Sequence, residues 1–217
     1  MYFKVFRKNE IKLQISTSNI ASGSVSGDNI YIKEKENRMI ASICDGMGKG
    51  NKANNESSAI IRLFDQLSDS SISTYTSIQI LNSYQQLKEQ YESFSTIDFL
   101  DIDMRTRKAI FFKMAAAPSY IFKANKKIEK IDNVLLPLGN EEKIEGEKYL
   151  LNDNDLIIMS SDGFFENVDN EDELTNFILN ITHLPVDKIV LQLLNYVNKK
   201  RINNDDLSII VIKILGN

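Results

Sequence analysis

Four aspartates stand at positions where carboxylates could do chemistry. Asp28 follows Ser26-Gly27 and leads into the alternating run NIYI. Asp45 and Asp162 each close an apolar run, and each is followed by glycine. Asp205, with Asp206 beside it, immediately precedes LSIIVIKIL. Acids at strand ends can meet at one rim of a sheet, on a backbone that holds them rigidly. Carboxylates brought together raise one another's pKa, and a divalent cation removes that penalty. A site built only of oxygen ligands selects hard ions such as Mg²⁺ or Mn²⁺. Glycine after Asp45 lets the backbone approach closely and offers the Gly46 carbonyl as a further ligand. Asp-Gly is also a strong hairpin-turn signal, so simple turns are the competing account. Of the 9 glycines, Gly23, Gly27, Gly46, Gly48, Gly50 and Gly163 lie in or beside these segments, which favours the site over the turns.

Other chemistries find less support. The chain of 217 residues carries one histidine, His183, and one cysteine, Cys44. Zinc needs three or four His or Cys ligands, and a lone cysteine makes no internal disulfide. A Ser–His–Asp triad would have to rest on His183, in the run ITHLP; a structural or surface role is expected there. Cys44 reads as a small buried strand residue, and six positions after it a cysteine phosphatase would need arginine where Gly50 stands. The run GMGKG lacks the spacing of a phosphate loop. Asp101-Ile102-Asp103 imitates a D-x-D nucleophile, but Arg105 is out of place for it and a turn between strands is the better account. The net charge of −4 argues against nucleic acid as the main partner. From Glu141 to Glu173 twelve acids face only Lys143 and Lys148, as solvated acidic loops or as an attraction for cations. No apolar run reaches the ~18–20 residues of a membrane span, and no signal-peptide pattern opens the chain, so a cytoplasmic location without membrane contact is expected.

The elements that must position these acids follow from periodicity. Residues 11–15 and 29–32 alternate as half-buried strands do, and 39–44 is a short apolar run. Small and apolar residues at 53, 57, 60, 61, 64 and 67 mark one face of a helix. Ile78, Leu81, Tyr84, Leu87 and Tyr91 suggest a second. Strands are expected at 96–102, 109–115, 119–123, 128–131 and 155–161, helices at 171–180 and 186–199, and a final buried strand at 207–215. Blocks of strands separated by paired helices indicate an α+β fold with mainly antiparallel sheet. With no repeat or linker in view, residues 1–217 read as one domain.

With these residues assembled, the sequence resembles the metal-dependent protein serine/threonine phosphatases (PPM), most closely their SpoIIE-like branch. The matching segments are VSGDNIYI (25–32), ASICDGMGKGNKANNES (41–57), STIDFLDID (95–103), AAAPSYI (115–121), LPLG (136–139), LIIMSSDGFFE (156–166) and DDLSIIVI (205–212), in the family's order. The resemblance implies a four-layer α-β-β-α sandwich, two antiparallel sheets flanked by helix pairs. It makes Asp45 and Asp28 the catalytic carboxylates, with Asp45 bridging two Mn²⁺ or Mg²⁺ ions, and Asp28, the Gly46 carbonyl, Asp162 and Asp205 completing the ligand set. Asp205 is preferred to Asp206 because the family pattern places the ligand first. Where the eukaryotic branch carries a histidine after Asp-Gly, this chain has Met47, and Arg7 lacks the context of a phosphate-holding arginine. The helices over 51–92 match a segment thought to control metal-site assembly. The implied activity is hydrolysis of phosphoserine or phosphothreonine, on a phosphorylated anti-sigma-factor antagonist of the STAS type, in sporulation or sigma-factor regulation. A catalytically idle interaction module with the same fold is the alternative, and a homodimer stays open.

Overall fold

Alternation in the strand sequences resolves into two five-stranded sheets, antiparallel at every pairing. The computed structural model describes residues 10–70, 72–88, 95–132, 136–140, 144–198 and 205–216. One sheet comprises Lys12–Ile20 (β1), Ser119–Phe122 (β6), Ile128–Ile131 (β7), Leu156–Ser160 (β9) and Leu207–Leu215 (β10), in the order β1-β10-β9-β6-β7. The other comprises Asp28–Lys35 (β2), Arg38–Gly46 (β3), Ser95–Asp103 (β4), Lys108–Met114 (β5) and Glu147–Leu150 (β8), in the order β2-β3-β4-β5-β8. The helices are Asn51–Asp69 (α1), Thr74–Lys88 (α2), Asp162–Phe165 (α3), Glu171–Ile181 (α4) and Val186–Asn198 (α5).

Three apolar layers hold these elements together. Met39, Leu100 and Phe111 of one sheet pack against Ile121, Ile157 and Ile210 of the other, forming the inner core. The outer face of the first sheet meets α4 and α5 through Leu174, Ile178, Ile189 and Leu193. That of the second meets α1 and α2 through Ile60, Phe64, Ile78 and Leu81. The central strands β4, β9 and β10 are therefore apolar on both faces, as in FLDI and VIKIL, because each lies between the inner core and a helix layer. The layers form the α-β-β-α sandwich expected from the resemblance.

Local differences have physical causes. The strand β8 has no counterpart in the expected elements, since EKYL is short, begins with two charged residues and leaves Leu150 exposed. Asp162-Gly163 does more than end a strand: it opens the short helix α3. On α2 the buried face runs through Thr74, Ser77, Ile78, Leu81, Asn82 and Gln85, while Leu87 is exposed. The face is rotated because Asn82 accepts a bond from the Gly139 amide at 2.7 Å, a partner no apolar pattern discloses. Arg7, Tyr91 and Lys199 lie outside the described residues. Asp103 makes the expected turn, accepting from the amides of Arg105 and Thr106. Cys44 is buried on β3, and His183 is exposed between α4 and α5.

Candidate metal centre

The register of β2 against β3 sets Asp28 directly opposite Asp45, at the end of both strands. The loop before β10 brings Asp205 and Asp206 to the same end, and α3 begins there with Asp162. Electrostatics show that these acids share a neighbourhood. Burial pushes Asp45 up to about 8, with the charges of Asp28, Asp162 and Asp205 adding to the shift. Burial likewise raises Asp28 to about 6; the Ser161 and Ser208 hydroxyls oppose the shift, and Asp162 and Asp206 add to it. Asp162 is open to water on one side, yet the protein packed around its carboxyl raises its pKa too. The Gly163 amide partly offsets that effect, and the Asp205 charge reinforces it.

Two glycines let the backbone close around this rim. A Cβ on Gly46 would stand 2.0 Å from the Ala53 carbonyl oxygen of α1, and one on Gly163 would stand 2.0 Å from that of Asp206. Only a residue without a side chain permits either approach. The turn before β2 is clamped from two sides. Asp206, only 6% exposed, accepts from the amides of Ser22 and Gly27 at 2.6 Å each. From α1, Ser57 Oγ donates to the Gly27 carbonyl at 2.5 Å and accepts from Asn29 at 2.7 Å, while Asn54 donates to the Ser26 carbonyl at 2.8 Å. Sequence reasoning did not assign these holding residues. The adjacency of Asp205 and Asp206 was the available signal that one acid could serve the backbone while the other faces the rim.

The acids fit a cation site by a direct test. Asp28 Oδ2 is buried without a hydrogen-bond partner, and a buried carboxylate oxygen is costly unless something positive or a donor meets it. Among the described residues no three His, Cys, Asp or Glu side chains converge as a ready-made metal cage. The carboxylates line a rim, where like charges raise the pKa values of Asp45 and Asp28. Met47 lies beside it, 52% exposed. Part of the acidic run Glu141–Glu173 belongs elsewhere. Asp155 accepts from the amides of Asn152 and Ala124, and Glu171, Asp172 and Glu173 fill the first turn of α4, where the helix dipole favours them. A cleft of about 420 Å³ at the far end of the β2–β3 hairpin has Lys33 paired with Asp65 and Asp69, Arg38 with Asp101 and Arg105 with Glu10, while Lys35 donates to the Ser68 and Asp69 carbonyls.

This pair of sheets has solved counterparts among protein phosphatases of the PP2C class. The phosphatase domain and regulatory fragment of the cell fate determinant SpoIIE from Bacillus subtilis superposes with a TM-score of 0.85 at 30% identity, over 96% of this chain and 64% of that one. The catalytic domain of the serine/threonine phosphatase PstP, in complex with two manganese ions, shares the fold with a TM-score of 0.73 at 13% identity, over 95% of this chain and all of that one. The chain belongs to the stage II sporulation protein E (SpoIIE) family, whose model matches residues 35–215. Stage II sporulation protein E of Bacillus subtilis is 36% identical over 156 residues, 69% of this chain and 19% of that protein. The chain thus spans about a fifth to a quarter of the length of the curated relatives it matches. Among the described residues no helix is long and apolar enough to cross a membrane.

Proposed function

We propose that the chain is a metal-dependent protein phosphatase that hydrolyses phosphoserine or phosphothreonine monoesters. The observation that carries the reading is the buried, unpartnered Asp28 Oδ2 set opposite an Asp45 whose pKa is pushed up to about 8. Asp28, Asp45, Asp162, Asp205 and the Gly46 carbonyl are the residues that would hold two Mn²⁺ or Mg²⁺ ions. When bound, such ions supply Lewis-acid activation of water and neutralise charge at the phosphoryl group. The chain's own part is to hold four acids on rigid strand and helix ends against their mutual repulsion. Asp45 keeps a proton near neutral pH until positive charge is placed beside it, so binding is coupled to proton release. The side chain of Met47 has no proton to give to the serine or threonine oxygen.

Family membership supports a substrate in sporulation or sigma-factor control, and the substrate we propose is a phosphorylated STAS-type anti-sigma-factor antagonist. The setting is cytoplasmic, tethered where the domain forms part of a longer membrane protein. Phosphate release from such a phosphoprotein, measured with Mn²⁺ and with chelator, tests the reading. Turnover should require the metal. Asp45→Ala should lower it by ~10³-fold or more, at the upper end of what losing one electrostatic contributor costs. Mn²⁺-dependent release by Asp45→Ala at the wild-type rate contradicts the assignment, and a wild-type chain that binds Mn²⁺ without releasing phosphate is instead an idle interaction module.

A further inference from the structure

Beneath the acid rim lies a buried ion pair that the proposed chemistry does not use. Asp98 of β4 and Lys113 of β5 are register partners, each 1% exposed. Lys113 Nζ donates to Asp98 Oδ2 at 2.6 Å and to Ser119 Oγ at 3.0 Å. The Ser119 hydroxyl donates to the same Asp98 oxygen. Ser119 begins β6, so the group ties one sheet to the other. Along the same strand faces the neighbours are Leu100, Phe111 and Ile121 of the inner core. Packing alone would be served as well by apolar side chains, since a buried ion pair seldom repays its desolvation against well-packed hydrophobic residues.

The other Asp98 oxygen gives the arrangement a direction. Asp98 Oδ1 is buried without a hydrogen-bond partner, and so is Ser160 Oγ. Both residues line a cavity of about 10 Å³ whose wall includes Thr96, Ser161 and Asp162, about the space one water requires. Thr96 is the register partner of Asp45, and Ser160 is the last residue of β9 before the turn into Asp162. Asp98 therefore stands between the two strands whose ends carry the rim.

We propose that Lys113, Asp98 and Ser119 are positioning residues for the metal centre: the ion pair fixes Asp98 so that its second oxygen, through one water shared with Ser160, holds the β9 end and Asp162 in place. The inference rests on the reading of Asp162 as a ligand. Partners that orient a ligand from behind typically contribute 10- to 100-fold in metal affinity.

Mn²⁺ binding by the whole chain, followed from the electron paramagnetic resonance of free Mn²⁺, tests this beside thermal denaturation of the metal-free protein. The double variant Asp98→Leu/Lys113→Met removes both charges and keeps the bulk, so it should melt at or above the wild-type temperature. Its Mn²⁺ dissociation constant should rise about 10- to 100-fold. Ser119→Ala keeps the ion pair and loses one clamp, and should weaken binding several-fold while staying folded. Wild-type affinity in Ser119→Ala and in a folded double variant overturns the inference while leaving the metal centre intact. A wild-type chain that binds no Mn²⁺ overturns both.

Discussion

Asp205 and Asp206 are adjacent in sequence, yet their carboxylates have different work. Asp206 is spent on the amides of Ser22 and Gly27 while its charge acts on Asp28 and Asp162, whereas Asp205 accepts its neighbour's amide and its charge acts on Asp45 and Asp162. Asp206→Ala should therefore destabilise the fold by about 3–6 kcal/mol, the loss of two charge-assisted bonds. Asp205→Asn should leave the denaturation midpoint nearly unchanged and weaken Mn²⁺ binding; the reverse pattern would exchange their roles. Protons report on the same cluster. Asp45 and Asp28 titrate near 8 and near 6 when folded, against about 3.9 for an aspartate in an unfolded chain. Between these values the folded, metal-free chain holds protons the unfolded chain has released. Their contribution to stability is complete below about pH 4 and is lost as pH rises through 6 and then 8. The melting temperature without metal should fall from about pH 5 to about pH 8.5, and Asp45→Asn should flatten that fall. An undiminished slope in Asp45→Asn would contradict the cause given. The four acids were legible in the sequence because they sit at strand ends beside glycines. Asp98 and Lys113 were not, although a charge inside each of the apolar runs TIDFL and IFFKM was a signal in plain view.

At the scale of elements, α1 is part of the site rather than a cover over it. Its Ala53 carbonyl fits against Gly46, and Ser57 and Asn54 hold the turn that carries Asp28. Lys88 of α2 bonds Glu56 of α1 at 3.1 Å, linking the two helices beside the rim. Gly46→Ala places a methyl group 2.0 Å from a backbone oxygen, a conflict only displacement of α1 relieves. We expect faster amide hydrogen exchange along α1 and weaker Mn²⁺ binding in that variant, at a stability cost of about 1–3 kcal/mol. Unchanged exchange in α1 would show that the helix is not coupled to the rim. Periodicity located α1 because its buried residues Ala53, Ser57, Ile60 and Phe64 follow helical spacing. It misplaced the face of α2, where Asn82 and Gln85 are buried for their polar groups, and it passed over β8, which is short and begins with two charged residues.

Across the whole molecule, the inner core between the sheets is apolar over most of its length and polar at one end. The strands that supply Leu100, Phe111, Ile121 and Ile210 to the core also supply Asp98, Lys113, Ser119 and Ser208. The rim stands on that end, carried by β2, β3, α3 and the loop before β10, and those elements come from widely separated parts of the chain. Long-range pairing is thus what assembles the centre, and it is why spacing alone could nominate the acids without showing how they meet. The central claim is that Asp28, Asp45, Asp162 and Asp205 surround divalent cations. Anomalous scattering at the manganese edge, from a crystal of this chain soaked in Mn²⁺, tests it most directly. Two peaks flanking Asp45, with Asp28, the Gly46 carbonyl, Asp162 and Asp205 as their neighbours, are the predicted result; Mn²⁺ bound elsewhere with these carboxylates bare would contradict it.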